Sequence, residues 1–382
     1  MDTKSILKGI TGITSDSRKI EKGFLFVAYK GVDVDGNDFI DEAIRRGAAK
    51  VIGEKKLELS VPYYQVDDGR LALTEIWATW FGNPEKKLKL VGVTGTDGKT
   101  TTTNLIFEML RTGGKRAGLI STVGAKVENE ELDTGLHTTS PDPKLFFGLL
   151  KRMVDVECEY AVIEVTSHAL AQERFGNVAY EVGVLTNFAH DHLEFHGTRD
   201  NYREAKSRLF ERSKLSVLNK KSNDLEYFMR SAKGKVMVYD PEKGTKSVGY
   251  EETDSGIRQE FEIELEGVRR RVKTGLLGDY NLENILAAAT VAISLGVKSD
   301  SVVRAVENFK GIPGRFEVVK NSLGIRAVVD FAHTEQGLRS VIGLVKKYLL
   351  KKGERIIVMF GCNGERDKTK RAPMGKVACE MA

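Results

Sequence analysis

The sequence predicts an α/β protein whose central sheet is parallel and carries a phosphate-binding loop. Two observations lead there. From Leu88 onward, apolar runs of strand length alternate with amphipathic helices, and one of those runs leads straight into the glycine turn "TGTDGKTTT". A third, the separate strand and helix patterns before and after this stretch, suggests flanking domains. The length of 382 residues agrees, being more than one ordinary core and suggesting about two to three domains.

The elements follow in order. Residues 1–87 mix short strands and helices, with "GFLFVAYKG" and "KVIGE" as strands and "DFIDEAIRRGAA" as a helix. This unit ends in the polar stretch "FGNPEKKLK", which reads as a linker. Residues 88–313 form the central unit, with strands "KLVGVTG", "RAGLISTVG", "YAVIEVTS", "VGVLTNF" and "LSVLNK". Within it, "EETDSGIRQEFEIELEGVRRRVKTG" alternates polar and apolar residues, the period of an antiparallel hairpin or small sheet. A helical run, "NLENILAAATVAISLG", comes next. Residues 314–382 start a new α/β pattern after "GIPGRFE", with a strand in "IRAVVDFAH", a helix around "GLRSVIGLVKKYLL", a strand "ERIIVMFG", and a last stretch that stops within a helical pattern. At about 70 residues this third unit is short for an α/β domain, and an incomplete one is expected to expose an apolar edge.

Hydrophobic content of 41% and charged content of 30% describe a globular chain. No run approaches the ~20 apolar residues of a membrane span, and the first residues lack a signal-peptide core, so a cytoplasmic protein without membrane insertion is expected. Cys158, Cys362 and Cys379 are odd in number and lack metal-ligand spacing, as suits a reducing compartment. The net charge of +5 comes from 59 basic against 54 acidic residues spread along the chain. That balance suits anionic small molecules and gives no footprint for nucleic acid. No pattern sets an oligomeric state.

"KLVGVTGTDGKTTTTNLIFEML" departs from the usual phosphate-loop spacing, since Val93 stands where the first glycine belongs. The physical requirements are nevertheless met: a strand delivers the chain, Gly95 and Gly98 bracket a turn, and a helix N-terminus follows, whose dipole favours negative charge. Lys99 would reach the outer phosphates and the Thr100 hydroxyl would sit on Mg²⁺. The competing reading is a threonine-rich turn before a helix. Glu164 ends a strand, where open α/β sheets take ligands, and His190, Asp191, His192 and His196 follow another. Any one histidine is more often a surface or turn residue; several polar groups at one strand end point to a metal or phosphate site. Without thiolates, the hard cations Mg²⁺ or Mn²⁺ are the natural guests.

Taken in order, "TGTDGKTTT", "TTSPD", "EVTSHAL", "TNFAHDHLEFHGT", "YREAKSRLF", "GDYNLEN", "GRFE", "DFAHT" and "FGCNGERDKTKR" closely resemble the Mur ligases, the ATP-dependent amide-forming enzymes of peptidoglycan precursor assembly. "SDSRKIEKGFLFVAYKG" resembles the UDP-binding N-terminal domain of the members adding the third residue or the terminal dipeptide, and "TTSPD" with "EVTSHALAQERF" resembles the third-residue enzyme. Folylpolyglutamate synthetases share the loop but lack such an N-terminal domain. The resemblance implies a three-domain architecture: a UDP-substrate domain (1–87), a central ATPase with a P-loop parallel sheet (88–313) and an incomplete Rossmann-like amino-acid-binding domain (314–382).

It also implies roles. Gly95, Thr96, Asp97, Gly98, Lys99, Thr100 and Thr101 would form the ATP loop, with Asn281 and Asn284 on the adenine side and Arg315 and Asp330 as ATP contacts from the third domain. A second reading of Asn281 and Asn284 is that they cap the helix they begin. Thr100, Glu164, His192 and Lys206 would hold Mg²⁺, Lys206 after carbamylation by CO₂, which turns a cation into an anionic oxygen ligand. Without the motif around it, Lys206 reads as a solvated surface lysine. Ser17 matches a uridine-side contact; Thr138, Thr139, Thr166, Gln172 and Arg174 match residues that hold the muramoyl peptide and its phosphates. Arg366 matches an arginine that grips a carboxylate of the incoming amino acid, a task suited to a planar guanidinium.

The implied substrates are UDP-N-acetylmuramoyl-L-alanyl-D-glutamate, ATP and a free amino acid, diaminopimelate or lysine, joined through an acyl phosphate. Asp97 stands where the family usually has Asn, His190 where Arg is commoner, "CNGERD" replaces a glycine-richer loop, and "DFAHTEQG" lacks the usual proline. The motif that separates diaminopimelate from lysine is not among these residues. Competing readings are a ligase-derived module that binds UDP-muramoyl peptide or ATP without turnover, and an unrelated P-loop NTPase.

Overall fold

Strands Gly12–Thr14, Phe24–Val27, Lys50–Gly53 and Tyr63–Gln65 pair in that order, all parallel, in a computed structural model that describes the chain except residues 32–33, 129, 134–138, 190, 254–255, 320, 323 and 363–367. Leu25, Phe26, Val27, Val51 and Ile52 are all buried, as continuous apolar runs in a covered parallel sheet require. Helix Gly69–Trp80 begins at Asp68, whose carboxylate accepts from the Arg70 and Leu71 N–H groups and so satisfies two otherwise orphaned donors. The helix buries Ile76 and Trp77, and Trp77 stacks on Phe81 with ring centroids 5.8 Å apart. The expected linker is therefore not free: its first residue packs on the helix, and Pro84–Lys86 forms a 3₁₀ turn.

The central sheet holds eight strands among the described residues, in the order Lys235–Tyr239, Ser213–Asn219, Tyr180–Leu185, Lys89–Thr94, Tyr160–Glu164, Ala117–Ser121, Gly124–Val127 and Glu130–Leu132. The first six are parallel; the last two return antiparallel. Lys89–Thr94 is thus central, flanked by the strands that end at Glu164 and Leu185. Helix Lys99–Thr112 follows it and buries Leu105, Ile106, Phe107, Met109 and Leu110, the apolar face read from the sequence, in one core with Ile285, Ala288 and Val302. The alternating segment folds as a three-stranded antiparallel sheet, Thr245–Thr253, Gly256–Leu265 and Val268–Thr274.

The third unit departs from expectation. Ala327–Val329 does form a strand, but it pairs antiparallel with Glu317–Val319, and no strand is formed by residues 354–361. "ERIIVMFG" has strand composition but joins no backbone ladder among the described residues, and without a ladder an apolar run is not a strand. Ile357 and Met359 are 81% and 97% exposed. The helices Glu335–Leu344, continued by a π-helical turn at Val345–Leu349, and Arg371–Met381 pack through Leu338, Ile342, Met374 and Val377.

Candidate active site

A cleft of about 2080 Å³ opens at the carboxyl end of the central strands, lined by the loop after Lys89–Thr94, by Glu164, His192 and Lys206, and by the third unit's Arg315 and Asp330. The loop is held from behind by the neighbouring strand's end. Asn187 accepts from Thr96 N–H through its backbone oxygen (3.0 Å) and from Asp97 N–H through Oδ1 (2.9 Å), while the Thr186 hydroxyl donates to Asp97 O at 2.6 Å. Asp97 keeps its side chain exposed. Gly98 has φ +79°, and a Cβ there would collide with Asn284 Oδ1, so the turn needs glycine for both reasons. Beyond it the helix N-terminus presents N–H groups without intrahelical partners to the cleft.

Lys99 curls back over the loop, its Nζ donating to Gly95 O at 3.1 Å and Thr96 O at 2.6 Å. Thr100 Oγ1 donates to Glu164 Oε1 at 3.0 Å and accepts from Arg315 Nη2 at 3.0 Å. Glu164 is 2% exposed, and its other oxygen accepts from the Thr122 N–H and hydroxyl, both at 2.9 Å. Three donors from two residues, Thr100 and Thr122, hold the carboxylate. Sequence reasoning missed Thr122, Thr186 and Asn187, although the last two lie in a quoted motif.

Lys206 is 1% exposed, which overturns the surface reading. Its helix, Arg199–Glu211, turns Tyr202, Lys206 and Leu209 inward, and Lys206 Nζ donates to Gly95 O at 2.7 Å with no carboxylate partner among the described residues. Burial pushes its pKa well below the ordinary lysine value, with the Lys99 charge adding and Asp191 and Asp97 opposing. A neutral amine is the form that takes up CO₂. Burial likewise holds His192 at about 4, against the pull of Asp191, so its imidazole is neutral near pH 7 and suited to bind a cation. His192 itself has φ +54°, a left-handed conformation that places it at the start of the short helix Leu193–His196.

Among the described residues, no three His, Cys, Asp or Glu side chains form a ready-made metal cage. The donors present, a carboxylate, a threonine hydroxyl, a neutral imidazole and a lysine primed for carbamylation, still suit Mg²⁺, which completes its shell with phosphate and water.

Asn281 and Asn284 line the same cleft but cap nothing. They lie inside helix Asp279–Ser294, Asn281 Nδ2 donating to Leu277 O (2.8 Å) and Asn284 Nδ2 to Asn281 Oδ1 (3.2 Å), and no side chain caps that helix. Asp330 accepts from the Phe316 and Ala332 N–H groups, both at 2.7 Å. Thr139 and Thr166 line the cleft too, and Thr166 caps helix Ser167–Ala171 through Ala169 N–H. Three expected residues lie outside it. Ser17 donates to Glu42 Oε2 in the N-terminal unit, and Arg174 donates to Gln172 Oε1 and Ser140 O beside the boundary with that unit. Thr138, His190 and Arg366 fall outside the described residues.

Three family models match in chain order: the Mur ligase family, catalytic domain, over residues 9–79; the Mur ligase middle domain over 93–292; and the Mur ligase, glutamate ligase domain, over 314–382. The UDP-N-acetylmuramoyl-L-alanyl-D-glutamate–2,6-diaminopimelate ligase of Bacillus velezensis is 35% identical over 98% of this chain and 77% of its own length. The ligase of the same name from Clostridium perfringens is 36% identical over 100% of this chain and 82% of its own. A solved structure of an enzyme of that name superposes with a TM-score of 0.75 at 28% identity, covering 98% of this chain and 77% of that one.

Proposed function

The chain belongs to the Mur ligase family, and from that premise we propose that it is an ATP-dependent amide ligase of peptidoglycan synthesis, acting in the cytoplasm and adding the third amino acid to UDP-N-acetylmuramoyl-L-alanyl-D-glutamate. The named relatives make 2,6-diaminopimelate the first candidate for that residue, with lysine the alternative. The observation that carries the reading is the Thr100 hydroxyl, bonded to both Glu164 and Arg315, which gathers the loop, a buried carboxylate and a cation of the third unit at one point.

The γ-carboxylate of the D-glutamate attacks the γ-phosphorus of ATP and releases ADP, leaving an acyl phosphate. The amine of the incoming amino acid then attacks the acyl carbon, and the tetrahedral intermediate expels phosphate to leave the amide. Thr100, Glu164, His192 and carbamylated Lys206 would hold Mg²⁺, which when bound neutralises charge on the phosphate oxygens. The chain's own part is positioning and electrostatics. Lys99 and Arg315 offer positive charge where the transferred phosphoryl group stands, and the helix N-terminus aims N–H groups at the same place. Asp97 adds a negative charge nearby that these cations must offset.

The test is ADP release with each component left out in turn. Release that needs the UDP-muramoyl dipeptide, an amino acid and a divalent cation together supports the ligase; release from ATP alone favours a plain NTPase, and binding without release favours a non-catalytic module.

A further inference from the structure

Strand Ala117–Ser121 pairs parallel with Tyr160–Glu164, Ile120 standing beside Ile163, and so leaves the sheet beside Glu164. There the chain reverses. Ser121 pairs with Gly124 in the antiparallel return, which leaves Thr122 and Val123 as the two residues of a tight hairpin turn. Gly124, at φ +124°, permits the reversal in so few residues. Val123 is exposed, and Thr122 lines the cleft with Glu164.

The turn brings two donors of one residue to one oxygen. Thr122 N–H and Oγ1 both donate to Glu164 Oε2 at 2.9 Å, and Thr100 Oγ1 donates to Oε1 at 3.0 Å. All three donors are neutral, and among the described residues the buried Glu164 has no ion pair. A buried carboxylate satisfied only by neutral donors favours a cation beside it. A carboxylate only accepts, so the Thr100 hydroxyl commits its single proton to Oε1 and turns its lone pairs away from Glu164. Arg315 Nη2 donates to one of them at 3.0 Å. The direction of the Thr100 lone pairs therefore depends on where Oε1 stands, and Thr122 fixes that by holding the other oxygen at two points.

We propose that Thr122 is a positioning residue for the cation site: it locks Glu164 so that Oε1 keeps the Thr100 proton and the Thr100 oxygen offers lone pairs to a divalent cation. The inference rests on the reading that a divalent cation and a nucleotide bind at Thr100 and Glu164. Thr122 acts through the carboxylate, and its hydroxyl sets how tightly the cation is held.

The experiment is titration of Mn²⁺ into the full chain saturated with ADP, bound and free ion being counted by electron paramagnetic resonance. The wild type is compared with Thr122→Val, Thr122→Ser and Ser121→Ala. Thr122→Val keeps the branched shape and the N–H but loses the hydroxyl, and Mn²⁺ binding weakens about tenfold, the scale of a lost hydrogen bond to a metal ligand. Thr122→Ser, which restores the hydroxyl, binds Mn²⁺ as the wild type does. So does Ser121→Ala, which removes the neighbouring hydroxyl bonded to Gly124 O in the same turn. Thr122→Ala repeats the loss of the hydroxyl and takes the place of Thr122→Val where that variant does not fold. Wild-type Mn²⁺ affinity in a folded variant without the hydroxyl overturns the proposal. An equal loss in Thr122→Ser or Ser121→Ala also overturns it, since the shape of the turn and not the hydroxyl is then the cause. A wild type that holds no Mn²⁺ beyond what ADP alone holds overturns the reading of the cation site, and this inference with it.

Discussion

Lys99 and Lys206, which belong to different helices, donate to the same oxygen: Gly95 O accepts from Lys99 Nζ at 3.1 Å and from Lys206 Nζ at 2.7 Å. Two ammonium groups so close repel, and burial of Lys206 makes it the one to give up its proton. Carbamylation replaces that repulsion by attraction, since the modified side chain is an anion. The wild-type rate is therefore expected to fall in CO₂-depleted buffer and to recover when bicarbonate is returned. Lys206→Ala is expected to lose roughly 10²–10³-fold in kcat, the scale of a lost charge-stabilising group, and to ignore bicarbonate. Turnover that is indifferent to CO₂ in the wild type would remove the carbamate from the account.

Lys99→Ala is expected to abolish ADP formation while leaving the melting temperature close to that of the wild type. Among the described residues Lys99 Nζ bonds only loop carbonyls, so its removal opens no core cavity. Wild-type turnover in this variant would overturn the loop assignment.

Arg315 reaches across to Thr100 from the third unit, with its guanidinium 4.4 Å from the centroid of the Phe331 ring. Arg315→Ala is expected to lower kcat by roughly 10²-fold. Arg315→Lys recovers only part, because an ammonium lacks the planar fork that fits between hydroxyl and phosphate. Single-turnover ADP formation reads this directly.

The buried His196 shares a 3.0 Å hydrogen bond with Ser167 Oγ, and burial holds its pKa at about 4 against the ordinary 6.5. Between those values the unfolded chain binds a proton that the folded chain does not. Stability therefore falls as the pH drops through this window, by up to about 3 kcal/mol from this group, and His192 acts in the same direction. Urea midpoints at about pH 7 and about pH 5 check the slope, which His196→Asn is expected to flatten.

Much of the central domain was legible because buried parallel strands read as continuous apolar runs, and the run at Lys89–Thr94 leads directly into its glycine turn. The same logic failed at residues 354–361, where the composition is that of a strand but no ladder forms among the described residues; composition cannot supply a pairing. Lys206 shows the limit from the other side. Its helix reads as charged throughout, and only the packing of Tyr202 and Leu209 turns the lysine inward. Asn281 and Asn284 line the cleft, but the capping reading failed because the helix starts at Asp279 and not at either asparagine.

The central claim is that the substrate carboxylate is activated as an acyl phosphate, and oxygen transfer tests it most directly. The γ-carboxylate of the D-glutamate in the UDP-muramoyl dipeptide is labelled with heavy oxygen, and the phosphate released during ligation is analysed by mass spectrometry. The account predicts that each phosphate carries one labelled oxygen taken from the carboxylate. Unlabelled phosphate, released alongside the amide, would contradict it.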